Sequence, residues 1–193
     1  MSSTRSTCAI LSILVFTLLG TAGCSSVSSI QPIGEPVKDN LAEYFNGVWA
    51  SDDGVVHCRA VGEGRLRIAS VEWKDGDFRL NHMDILITEH NGARFMHLVQ
   101  KTKSDAPVRY FFSRINASGK RHLVSFGPDI PAFAQAIEQN QLSGTVERKN
   151  KIITAKIDGP KKELEAFLTK ERIGTLFIAG KPGVLSRVHE GKD

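Results

Sequence analysis

From Leu41 onward, short runs rich in β-branched and aromatic residues alternate with turn signals: Asp53-Gly54, Glu63-Gly64, Asp75-Gly76, Asn91-Gly92, Ser118-Gly119 and Lys149-Asn150. Asp-Gly and Asn-Gly are the strongest of these, because a type I′ hairpin turn needs positive φ at both central residues. The intervening runs are GVWAS, VVHCRAV, RLRIASVEW, FRLNHMDILITE, RFMHLVQK, VRYFFSRI, RHLVSF, LSGTVER and IITAKI, with a last one, GVLSRV, near the C-terminus. This pattern predicts a mainly β protein, an antiparallel meander forming a strongly curved sheet or a β-barrel.

Two runs break their own alternation. Leu66 and Ile68 share one strand face, whereas Val71 and Trp73 fall on the other; Phe78 and Leu80 likewise give way to Met83, Ile85 and Ile87. A one-residue slip of this kind is what a β-bulge produces, so bent neighbouring strands are expected here. Two short helices are also predicted. DIPAFAQAIEQN carries Asp129 as N-cap and Pro131 in its first turn, with Phe133, Ala134 and Ile137 on one face. GPKKELEAFLTKE begins at Pro160 and presents Leu164, Phe167 and Leu168. Either helix could plug a barrel mouth or cover a sheet.

The N-terminus follows a different pattern. Arg5 precedes an apolar stretch from Ala9 to Leu19, and Gly20, Thr21, Ala22 and Gly23 then offer slim side chains to a signal peptidase. The stretch is too short for a permanent bilayer span, which takes about 20 apolar residues. Residues 24–40, CSSVSSIQPIGEPVKDN, are rich in Ser, Pro and Gly without periodicity and read as a flexible tether. The expected division is a signal peptide over 1–23, a tether over 24–40 and a single β-rich domain over 41–193. Ala22-Gly23-Cys24 resembles the end of a bacterial lipoprotein signal. That resemblance implies a thioether-linked diacylglycerol on Cys24, cleavage after Gly23 and acylation of the new amino group. With Ser25 following, it also implies delivery to the periplasmic face of the outer membrane. Ordinary secretion, with cleavage after Ala22 or Gly23, also fits the small residues. In that case Cys24 could pair with Cys58; if Cys24 is acylated, Cys58 stands alone as a small core residue.

Charge narrows the partners. Without residues 1–23, 24 Lys and Arg face 21 acids over 170 residues, a formal +3. No run of five or six like charges occurs, so nucleic acid is not implied. KTK at 101–103 and RKNK at 148–151 are basic clusters at expected turns; they fit solvated loops, or contact with anionic lipid or lipopolysaccharide.

No catalytic, metal or cofactor motif emerges. The six histidines, at 57, 82, 90, 97, 122 and 189, show neither HxH nor HExxH spacing. His57 and Cys58 are adjacent and so face opposite ways on a strand. No Gly-x-Ser-x-Gly occurs, and GEG at 62–64 opens no helix. Asp52-Asp53, Asp75 and Asp77 flank turns, where aspartate is common. Gly47-Val48-Trp49 on the first predicted strand resembles the Gly-x-Trp of lipocalins, eight-stranded ligand-binding barrels. The resemblance implies that Trp49 sits at a closed barrel end and that Arg187 packs over its indole. Tyr110-Phe111-Phe112 is apolar on both faces, as in a strand covered by a helix or lining a lipophilic cavity.

These features predict a non-catalytic, membrane-anchored periplasmic protein that binds a hydrophobic ligand or an envelope partner. Trp49, Phe78, Tyr110 and Phe112 are the candidate cavity walls. The alternatives are an envelope scaffold with a solid core and an enzyme acting on envelope polymers. A cavity above about 300 Å³ would favour ligand binding, and a filled interior with an exposed apolar patch would favour the scaffold.

Overall fold

The computed structural model describes residues 25–51, 54–74, 77–101, 107–118, 120–177 and 182–189. The signal segment, Cys24, Asp52-Asp53, Asp75-Gly76 and Gly119 lie outside the described residues. Eight antiparallel strands close into a barrel. They are β3 (Gly47–Ser51), β4 (Gly54–Gly62), β5 (Arg65–Lys74), β6 (Asp77–His90), β7 (Ala93–Gln100), β8 (Arg109–Ser118), β9 (His122–Phe126) and β12 (Gly183–His189). Strands β3 to β9 follow as a meander, and β12 closes the ring by pairing with both β9 and β3. At the Asn91-Gly92 turn both residues take positive φ, 49° and 75°, as a type I′ hairpin requires. Inward positions such as Leu66, Ile68, Ile85, Met96 and Leu123 fill the barrel core.

Strand β8 serves two structures. Its C-terminal half pairs with β9 inside the barrel, while Tyr110 and Phe111 pair with β1 (Ser26–Ser29). From there the sheet continues through β11 (Ile152–Ile157) to β10 (Gly144–Lys149). A second core lies on this extension, beneath α2 (Ile130–Glu138), α3 (Lys161–Phe167) and α4 (Lys170–Leu176). Its rings interlock: Phe133 lies 5.7 Å from Phe112 and 6.1 Å from Phe177. Helix α2 forms as expected, with Asp129 Oδ1 accepting from the Ala132 N–H at 3.1 Å. The helix expected from Pro160 is instead α3 and α4, because Thr169 caps a new start by accepting from the Arg172 N–H at 3.3 Å. A further short helix, α1 (Leu41–Phe45), precedes β3.

Two expectations are corrected. The register of β5 against β6 runs unbroken from Arg65–Leu86 to Lys74–Asp77, so no bulge causes the apparent slip in their alternation. Register shifts fall instead between Ala60 and Gly62 and between Arg187 and His189. The tether is the second correction. Within residues 25–40, β1 is built into the sheet, β2 (Glu35–Pro36) pairs with β6, and Val27, Ile33 and Val37 are buried. The small serines of β1 let helix α2 approach, and Ser29 Oγ donates to Gln31 O at 2.6 Å. Polar composition concealed a strand whose partners lie far away in sequence.

The segment after β1 is held by close fits. Gly34 has φ +72°, a Cβ there would lie 2.2 Å from Glu89 O, and its N–H donates to Glu165 Oε1 at 3.0 Å. The Thr88 hydroxyl donates to Ile33 O, so His97 Nε2–H donates to Thr88 Oγ1 at 2.9 Å. His97 is fully buried, and its Nδ1 has no partner. Burial pushes the His97 pKa down from its ordinary 6.5 to about 3; Lys161 adds to the fall and the Ile33 carbonyl opposes it.

Gly34→Ala is expected to cost more than about 2 kcal/mol in urea unfolding, through the left-handed backbone and the Glu89 clash. A change under about 0.5 kcal/mol would mean the segment is not wedged as described. The His97 prediction concerns acid. Only the unfolded chain takes up the extra proton, so stability is intact above pH 6.5 and declines as pH falls from there towards about 3, by up to about 1.4 kcal/mol per unit. In His97→Gln this part of the pH dependence should vanish; an unchanged slope would contradict the assignment.

Candidate functional site

The barrel is plugged at one end by α1, whose Leu41 and Phe45 are buried. Trp49 alternates inward on β3, and its Nε1–H donates to Phe45 O at 2.8 Å. The Arg187 guanidinium on β12 lies 4.9 Å from the indole centroid, in the place the lipocalin resemblance implied. Arg187 Nη2 donates to Glu43 O at 3.3 Å and to Tyr44 O. One planar cation thus covers the aromatic face and satisfies carbonyls at the end of α1. Asn46 Oδ1 adds a further tie by accepting from the Ala60 N–H at 2.7 Å.

Inside this floor lies a slot bounded by Phe45, Trp49, Cys58 and Met96, with Ser51 and Val184 towards the other end. Its volume is about 30 Å³. That admits one or two waters and falls far short of the roughly 300–1,000 Å³ of small-molecule sites. The Cys58 thiol faces into the slot, and burial pushes its pKa up to about 12 despite the nearby Arg187 charge. It therefore stays a neutral core group. Ser25, the neighbour of Cys24, accepts from the Ile153 N–H on the sheet extension at 2.9 Å, whereas Cys58 lies within the barrel.

Only Trp49 of the four candidate cavity residues lies in this slot. Phe112 points outward from β8 into the helix-covered core, and half-buried Tyr110 meets His97 edge-on at 6.2 Å. Phe111, between them, is the ring that packs on the barrel core. Phe78 is 68% exposed on the outer face of β6. The four were chosen for aromatic character, but alternation sends neighbouring β8 residues to different layers, and β6 extends past the barrel wall. A helix-covered β8 was the other meaning of its two apolar faces.

The histidines do not form a catalytic cluster among the described residues. His90 Nε2 meets the main-chain carbonyls of Glu165 and Leu168 at 3.0 and 3.2 Å, and His122 meets Ser186 Oγ at 3.2 Å. No three His, Cys, Asp or Glu side chains among the described residues converge for a metal. A shallow groove of about 250 Å³ between α2 and α4 is lined by Gln135, Gln139, Arg172 and Thr175 and lies open to solvent. No described helix is long and apolar enough to cross a membrane.

Sequence reasoning missed the outer face of the β5–β6 hairpin. Val71 pairs with Leu80, and Phe78 lies two residues from Leu80 on the same face. Val71, Phe78 and Leu80 are 61%, 68% and 71% exposed. The signal was the same slip ascribed to a bulge. Beyond the barrel end the inner face has no core to meet and turns polar, with exposed Asp77 and Arg79. Comparison with family models, curated proteins and solved structures finds no match to this chain.

Arg187→Ala is expected to lower stability by about 2–4 kcal/mol, summing a cation–π contact and two hydrogen bonds to carbonyls. Arg187→Lys should recover only part of the loss, since an ammonium cannot both stack and fork. A thermal midpoint unchanged in Arg187→Ala would show that the barrel floor does not depend on this residue.

Proposed function

We propose that the protein is a lipid-anchored, non-catalytic envelope protein whose barrel is a solid scaffold and which acts through its outer surface. The observation that carries this reading is the combination of a slot of only about 30 Å³ with large apolar side chains displayed outside. An eight-stranded barrel is just wide enough either to be filled by side chains or to hold one small ligand. Here Trp49, Met96 and Leu123 belong to the packed core. The lipocalin-like features, Gly47-x-Trp49 and the Arg187 stack, support a shared way of closing a barrel. They do not require a bound ligand.

The anchor belongs to the same proposal. Acylation of Cys24 at the periplasmic face of the outer membrane would place fatty chains one residue from Ser25, which is already tied to β11. Such a domain would lie against its bilayer instead of swinging on a tether of roughly 20 Å. Multiple acyl chains give stable attachment where one gives only marginal binding.

Native mass spectrometry of protein purified from bacterial membranes tests both parts. The expected mass is that of a chain starting at acylated Cys24, with no small molecule retained in stoichiometric amount. An unacylated, water-soluble chain would remove the anchor. A stoichiometric apolar ligand that shields Trp49 would move the function into the barrel.

A further inference from the structure

We infer that the outer face of the β5–β6 hairpin is a lipid-binding face that inserts into a surface rich in anionic phospholipid. This deepens the surface-acting reading and rests on it. The hairpin is longer than its neighbours: β4 leaves β5 at the Val56–Ser70 pair, and β7 reaches β6 only from Ile85 onward. Among the described residues no third strand pairs with Asp77–Met83. The distal hairpin is therefore amphipathic about its own plane, with Asp77 and Arg79 on its inner face and Val71, Phe78 and Leu80 on its outer one.

Along the strands, the outer face is graded. Phe78, 68% exposed, stands nearest the tip. The next row is Val71 opposite Leu80, flanked from β4 by Val55, which is 54% exposed. A row of His57, Ala69 and His82 follows, and then one of Arg59, Arg67 and Asp84. Arg65 lies two residues beyond Arg67 on the same face. Rows two residues apart are separated by about 7 Å, so the two apolar rows match the 5–10 Å by which interfacial elements enter the acyl boundary. The arginine row then stands about 20 Å from the tip, with side chains long enough to reach back to phosphates.

Charge selects the occupant. Arg67 is ion-paired with Asp84 at 3.2 Å, whereas Arg59 and Arg65 are exposed with no ion pair among the described residues. Three arginines thus face one aspartate behind the apolar rows. Exposed Lys101, which opens the KTK cluster, follows β7 and lies 4.0 Å from the same aspartate. Apolar penetration backed by cationic residues is the arrangement that binds anionic membranes, where each basic side chain adds to attraction at the surface.

The test uses the chain from residue 24 onward carrying Cys24→Ser, so that neither the apolar signal segment nor an acyl anchor contributes. It is mixed with vesicles of phosphatidylcholine containing about 30% phosphatidylglycerol, or of phosphatidylcholine alone, and sedimented. Binding to the anionic vesicles is expected, and it should weaken as NaCl rises from about 0.1 to about 0.5 M. Phe78→Ser/Leu80→Ser should lower the affinity at least about tenfold. Arg59→Glu/Arg65→Glu should abolish the preference for phosphatidylglycerol. All these side chains are exposed, so circular dichroism and thermal midpoints should stay at parent values. An environment-sensitive fluorophore on Leu80→Cys should shift to the blue with anionic vesicles. Three results would overturn the proposal: no sedimentation with either vesicle, binding indifferent to Phe78→Ser/Leu80→Ser, or self-association that this double variant removes while vesicles are ignored. The last would make the occupant a second copy of the chain. A ligand found inside the barrel would sink the scaffold reading and leave the vesicle result standing. Failed vesicle binding would leave the filled barrel untouched.

Discussion

The structure depends on strand β8 being buried on both faces. Its residues alternate between two cores: Phe111 and Ile115 pack towards the barrel interior, while Phe112 packs beneath the helices. The same strand hands its pairing from β9 to β1 along its length. One side of this division closes the barrel, and the other founds the sheet extension that carries α2, α3 and α4. A polar residue at 111 or 112 would have to be desolvated in one layer or the other, so the apolar run at this point is dictated by architecture.

The N-terminal segment is locked by similar two-sided demands. Ile33 is buried between the helices and β6, and its carbonyl accepts from Thr88, which in turn accepts from His97. Gly34 lies against the Glu89 backbone, and Lys161 bridges Glu35 and Glu165 at the rim. Glu35 is 82% exposed, so its pair with Lys161 contributes little, whereas Lys161 and Glu165 are half-buried. Burial and the steric requirement at Gly34 hold the segment. This binds the folded domain to within a residue of Cys24.

Against these satisfied interiors, the hairpin stands apart. Packing explains Leu66, Ile68, Met83 and Ile85, which point into the barrel. Neither core takes up Val71 or Leu80, and exposed apolar residues on a protruding hairpin carry an aggregation risk that polar ones would avoid. A large apolar face kept on a protruding element, beside arginines and away from both cores, is best explained by contact with something else.

Much of the architecture was legible in sequence because its determinants are local. Asn91-Gly92 specified a turn through backbone conformation, Asp129 capped α2, and period-two alternation put Leu66 and Ile68 on one face, which proves to be the inner one. Even the stacking partner of Trp49 was reachable from the lipocalin resemblance. Tertiary structure alone decided what the alternation faced. Whether an apolar face meets a core, a helix layer or solvent depends on how far neighbouring strands extend, and pattern alone does not record that. The turn of Val71, Phe78 and Leu80 to the outside therefore looked like a slip. Strand β1 stayed hidden because its partners, Thr154–Ile157 and Tyr110–Phe111, lie over 80 residues away and supply the pairing that its serine-rich composition does not advertise. The filled interior was likewise a matter of volume, fixed only when eight strands closed around Trp49 and its neighbours.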